Sequence, residues 1–113
     1  MSEFTFLYRG RDTTASPEDM QKQMEKWLAW FKDLSATGNL KDRGHPLEAA
    51  AKIVRGKLKS VHDGPYAEAK DVVAGFTLIE ARDLLHATEL AKGCPMLDVG
   101  GSVEVRPIQK LSM

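Results

Sequence analysis

The sequence predicts an α+β fold, a ferredoxin-like sandwich with helices on one face of an antiparallel sheet. Three observations carry that expectation. An alternating aromatic strand at the N-terminus is followed by a long amphipathic helix. A lysine-rich hairpin interrupts the middle of the chain. A further strand, helix and strand close it, so the order reads β-α-β-β-β-α-β, a split βαβ pattern with the hairpin inserted.

Phe4–Arg9 alternates, with Phe4, Phe6 and Tyr8 on one face and Thr5, Leu7 and Arg9 on the other. Gly10–Ala15 reads as a polar loop. Ser16-Pro17-Glu18-Asp19 is a helix start: Ser16 suits the N-cap, Pro17 the first helical position, and two acids favour the positive end of the dipole. Met20, Met24, Trp27, Leu28, Phe31 and Leu34 then recur at spacings of three and four, one wide core-facing stripe ending at Gly38. Trp30 sits at the stripe's edge, toward a partner or a pocket.

Lys41–Leu47 reads as a loop carrying His45-Pro46. Ala50–Arg55 and Lys57–Val61 read as strands joined at Arg55-Gly56, a tight hairpin. Its basic residues Lys52, Arg55, Lys57 and Lys59 fit solvated edge positions better than an anion site. Gly75–Glu80 is a buried strand. Arg82–Lys92 is a second helix with Leu84, Ala87, Thr88 and Ala91 at core spacing, stopped by Gly93-Cys94-Pro95. Val103–Ile108 alternates again, with Pro107 placing its end at an edge.

A chain of 113 residues is expected to form one domain, 1–113. Sixteen Lys and Arg balance sixteen Asp and Glu, giving no net charge. That argues against a nucleic-acid partner, whose binding draws on basic surface. No run is apolar enough to span a membrane and no signal-peptide core is present, so the expected compartment is the cytoplasm. A single cysteine, Cys94, forms no internal disulfide, and three histidines without ligand-like spacing argue against a metal. No Gly-rich phosphate loop, GxSxG or HExxH is found, and no cofactor is expected.

The densest chemistry lies at His62–Asp71, which reads His-Asp-Gly-Pro-Tyr-Ala-Glu-Ala-Lys-Asp. Asp63-Gly64-Pro65 is turn chemistry. The run Asp63–Asp71 resembles the signature of the YCII-related (DGPF-type) proteins, Asp-Gly-Pro-Phe-Ala-Glu-x-Lys-Glu, with Tyr66 for Phe and Asp71 for the last Glu. The resemblance extends to Gly44-His45-Pro46, Gly75-Phe76, the Gly93-Cys94-Pro95 corner and Val103–Pro107. It implies a dimeric α+β barrel. The layout of elements implies the same: one sheet face is left uncovered, and a face carrying side chains like those of the first strand should not stay wet, so a homodimer of stacked sheets is expected.

The candidate ligand-binding residues are Trp27, His45, Asp63, Tyr66, Glu68, Lys70 and Cys94. Asp63 is expected mainly to cap the turn, while Tyr66 and Lys70 can converge. Cys94 follows a helix C-terminus, which should raise its thiol pKa and make it structural rather than nucleophilic. The better-described branch of the YCII relatives uses a His on the first helix and an Asp before a Pro after the second. Those positions fall on Trp27 and Cys94, so this chain departs from the dyad at both. The expected function is a homodimeric domain binding a small organic ligand in a cleft near the Asp-Gly-Pro-Tyr loop. One alternative is a small lyase-, isomerase- or oxidase-like enzyme using Asp63, His45 or Lys70 as acid or base. The other is a protein-interaction module in transcriptional regulation, since DGPF-type domains occur linked to sigma-factor-like proteins.

Overall fold

The computed structural model of the chain describes residues 1–10, 15–66 and 68–112. Most of the expected Gly10–Ala15 loop, and Ala67 of the signature, lie outside them. Strands β1 (Ser2–Arg9), β2 (Leu40–Pro46), β5 (Val73–Ala81) and β6 (Ser102–Pro107) form one four-stranded sheet. The order is β2-β5-β1-β6, and each neighbouring pair is antiparallel. Strands β3 (Ala51–Arg55) and β4 (Ser60–Gly64) pair separately as a hairpin. Helices α1 (Pro17–Ala36) and α2 (Leu84–Ala91) complete a mixed α+β fold. Among the described residues, no helix is long and apolar enough to cross a membrane.

The alternation of β1 decides which face is core. Phe4, Phe6 and Tyr8 are buried, and they lie opposite Ile79, Thr77 and Gly75 of β5. Trp30 and Leu34 of α1 and Ala87 and Ala91 of α2 join the same cluster. The aromatic face of β1 therefore points at the helices. The face left uncovered is instead the one carrying Leu7, Phe76 and Leu78, all half-buried.

Helix α1 begins as its residues dictate. Ser16 Oγ accepts from the Asp19 N–H at 3.1 Å, and Asp19 Oδ2 accepts from the Ser16 N–H at 3.3 Å, a reciprocal capping box. Its stripe is narrower than the sequence implies. Trp27, Trp30, Phe31 and Leu34 meet the sheet, and Met20, Met24 and Leu28 remain exposed. Trp30, expected at the edge, is core: its ring stacks on Phe6 at 5.8 Å between centroids. The reason is geometric. The 27-30-31-34 positions form a strict three-and-four seam, whereas 20-24-28 runs along the i+4 ridge on the flank.

Three further expectations are corrected. Lys41–Leu47 is not a loop but mostly the edge strand β2, which lacks β-formers and alternation and pairs with β5 through two register shifts. Gly44 makes those shifts possible: it sits at φ +66°, and a Cβ there would lie 1.9 Å from the Phe76 carbonyl oxygen. The second hairpin strand runs Ser60–Gly64 rather than Lys57–Val61, because residues 56–59 form the turn and Gly56 and Lys59 both adopt positive φ. Finally, α2 starts after Asp83, whose carboxylate accepts from the His86 N–H at 2.8 Å. Leu84, placed in the first turn, is exposed, and Ala87 and Ala91 make the core contact.

Candidate functional site

Where α1 crosses the sheet, large side chains of the helix above and small residues of the strands below leave a recess of about 400 Å³. Tyr8, Trp27 and Phe31 form one wall, with Met24 and Met96 beside them. Arg43, Gly44, His45 and Pro46 of β2 form the rim, and Ala74, Gly75 and Phe76 of β5 the floor. Gly75 keeps that floor low. A Cβ there would come within 3.0 Å of the His45 carbonyl oxygen and 3.5 Å of the Tyr8 ring.

The wall is held by aromatic geometry. Tyr8 and Trp27 meet nearly edge to face, at 81° and 4.7 Å between centroids, and Trp27 lies 5.7 Å from Phe31. Such pairs add about 0.5–1.5 kcal/mol beyond their buried area. His45 leans on Phe76 at 6.1 Å. The Arg43 guanidinium lies over the Phe31 ring, 5.3 Å from its centroid.

Two polar groups behind the wall are fixed in their roles. The Tyr8 hydroxyl donates to Thr77 Oγ1 at 2.6 Å, and Thr77 Oγ1 donates to the Arg43 carbonyl at 2.9 Å. Burial pushes the Tyr8 hydroxyl pKa well up, more than the Thr77 contact offsets. Cys94 lies just behind, buried, and its Sγ accepts from the Met96 N–H at 3.5 Å. Burial raises its thiol to about 12, so the sulfur is a thiol rather than a thiolate at neutral pH.

Of the sequence candidates, Trp27 and His45 line this cavity together and Cys94 lies behind its wall. The signature residues lie elsewhere. Asp63 is an exposed residue of β4, and its carboxylate pairs with Lys52 directly across the hairpin. Tyr66 lines a second, more open groove of about 560 Å³ between the hairpin and the main sheet. The Tyr66 ring lies under the Arg55 guanidinium at 5.3 Å, and its hydroxyl accepts from Arg55 Nε at 3.3 Å. Glu68 and Lys70 are exposed. The cations on that groove are already engaged: Arg9 binds Glu104 at 2.7 Å and the Asp71 carbonyl at 2.8 Å, and Lys52 holds Asp63. Among the described residues, no group of three His, Cys, Asp or Glu is placed to hold a metal ion.

Sequence reasoning missed Tyr8, Phe31, Arg43 and Phe76 as cavity residues. Tyr8 and Phe31 follow core periodicity, so nothing in the pattern separates a wall from a core. The available signal was Gly44 facing Gly75-Phe76, small residues on paired strands beneath a helix rich in aromatics.

The YCII-related domain model matches residues 4–112, nearly the whole chain. No curated protein matches significantly. Among solved structures, the chain is similar to 5-chloro-2-hydroxyhydroquinone dehydrochlorinase from Burkholderia phenoliruptrix AC1100, determined with 2,5-dihydroxybenzoquinone. The TM-score is 0.51 at 18% identity, over 95% of this chain and 93% of that one. At that identity the likeness concerns the fold.

Proposed function

This chain belongs to the YCII-related domain family, and on that premise we propose that it binds a small organic ligand in the cavity beneath α1. The observation that carries the reading is the cavity itself: about 400 Å³, walled by aromatic rings, with few polar groups at its rim. The similar dehydrochlorinase was determined with a small quinone, which fits a cavity of this character. Binding is favoured over acid–base chemistry by the two positions where relatives carry a His and an Asp. Here they hold Trp27, which has no titratable proton, and Cys94, whose thiol at about 12 is a poor base near neutrality. The strand order β2-β5-β1-β6 supports a ferredoxin-like sandwich, and the half-buried Leu7, Phe76 and Leu78 on the uncovered face support a homodimer of stacked sheets.

The chain has two tryptophans, Trp27 and Trp30, one on the cavity wall and one packed edge to face against it. Intrinsic fluorescence therefore reports on the site directly. Neutral naphthalene-2-carboxamide should quench it saturably at micromolar to millimolar concentration. Quenching no greater than that of free tryptophan across the range would overturn the reading.

A second reading, a protein-interaction module, has one observation in its favour. The hairpin presents Val54 (66% exposed), Leu58 (95%) and Val61 (65%) to solvent, and Val54 faces Val61 directly.

A further inference from the structure

Resting on the cavity reading above, we infer that the cavity selects planar organic anions, aromatic carboxylates in the first place, and that Arg43 holds the charge. Among the described residues lining it there is no Asp or Glu; the charged or chargeable ones are Arg43, His45 and the neutral Tyr8. An anion entering meets no repelling carboxylate.

Arg43 has no carboxylate within 4 Å among the described residues, whereas Arg9, Lys26, Lys41, Lys52, Lys92 and Arg106 each have one. Its guanidinium lies over the Phe31 ring, 5.3 Å from the centroid, and has no hydrogen-bond partner among the described residues, which leaves its N–H donors free. A planar fork of donors beside an aromatic wall suits a ring that bears a coplanar carboxylate, which it can grip with two parallel hydrogen bonds.

The same arrangement counts against a cationic ligand. Tyr8, Trp27 and Phe31 could otherwise attract a quaternary ammonium. Here the Phe31 face is already occupied by Arg43, and a second cation would meet like charge.

The test compares three probes of one shape by tryptophan quenching: naphthalene-2-carboxylate, naphthalene-2-carboxamide and a naphthyl-trimethylammonium cation. The carboxylate should bind about tenfold or more tighter than the amide, as hydrogen bonds to a charged group imply, and the cation should bind weakest. Arg43→Met keeps the stem over Phe31; it should cost the carboxylate about tenfold or more and the amide much less, bringing the two affinities together. Equal binding of carboxylate and amide by the unmodified protein would overturn the anion inference while leaving the cavity reading standing. So would an Arg43→Met protein that loses both probes equally. Binding of none of the three would overturn both.

Discussion

The cavity beneath α1 and the hairpin leading into the signature loop are built on opposite terms. The cavity is lined by residues far apart in sequence, and the rings of Tyr8, Trp27 and Phe31 pack against one another in its wall. The hairpin is made of neighbours in sequence, and its contacts are surface ones: Lys52 with Asp63, Arg55 with Tyr66. The hairpin carries the motif by which the chain is recognised, whereas the cavity is where volume, aromatic surface and an unpaired cation coincide. Recognisability and ligand-binding capacity are thus separate properties. A turn such as Gly64-Pro65 constrains sequence strongly because few residues can make it, whether or not anything binds there.

That contrast predicts a large difference in stability. Phe6 is fully buried and stacks on Trp30. Phe6→Ala should cost about 3–5 kcal/mol, the range for emptying an aromatic core site. Leu58→Ala, at the hairpin tip, should stay within about 0.5 kcal/mol. Urea denaturation of both variants measures the pair. A Leu58→Ala loss above about 2 kcal/mol that shrinks on dilution would break the contrast and show the hairpin packed against a second copy.

How much of this was legible depended on whether the signal was local. The start of α1 could be read from Ser16 to Asp19 because a capping box is a contact between residues three apart. The β1 alternation was readable for the same reason. Strand β2 was not, because Lys41-Asp42-Arg43-Gly44-His45-Pro46 is held in the sheet by the register of β5 and not by any preference of its own. Trp30 was misplaced because periodicity gives the arc of a helix but not how much of that arc the sheet covers. The cavity had the least local signature. Trp27 and His45 were found through a family position and a loop motif, while Arg43 and Phe76 became neighbours only when β2 docked on β5.

A medium effect should appear with pH, and only on the cavity side. Cys94 and Tyr8 are both kept neutral by burial. Their folded pKa values lie above the unfolded ones, so the unfolded chain gives up these protons first as pH rises. The stability they contribute is therefore complete below about pH 9, the ordinary thiol value, and is lost toward the folded value of about 12. Unfolding free energy should fall on the order of 1 kcal/mol per pH unit above about pH 9, with Tyr8 adding to the slope above about pH 10. Cys94→Ala should delay the onset of that decline. Urea titrations at neutral and alkaline pH measure the slope. A flat profile to pH 10.5, or one that Cys94→Ala leaves unmoved, would mean that the thiol is not shielded as the packing indicates.

The smallest effect belongs to the most conspicuous residue of the signature. Asp63 could be a turn cap, a ligand-holding carboxylate or one half of a surface ion pair. Its position in β4 opposite Lys52, with the two side chains in contact and both largely exposed, favours the last. Exposed pairs of this kind are worth roughly 0.2–1 kcal/mol, because water screens the attraction and two long side chains must be ordered to make it. Asp63→Asn, Lys52→Met and the double variant should each unfold within about 1 kcal/mol of the parent. The coupling energy of the cycle should be small and shrink further in salt. Naphthalene-2-carboxylate binding should be unchanged in all three, since neither residue lines the cavity. The other roles give different patterns. A cap would make Asp63→Ala clearly worse than Asp63→Asn, because the amide keeps an acceptor oxygen. A ligand-holding carboxylate would show as lost probe binding in Asp63→Asn with stability intact. Either outcome would return the functional weight to the signature loop and reverse the contrast drawn between the two regions.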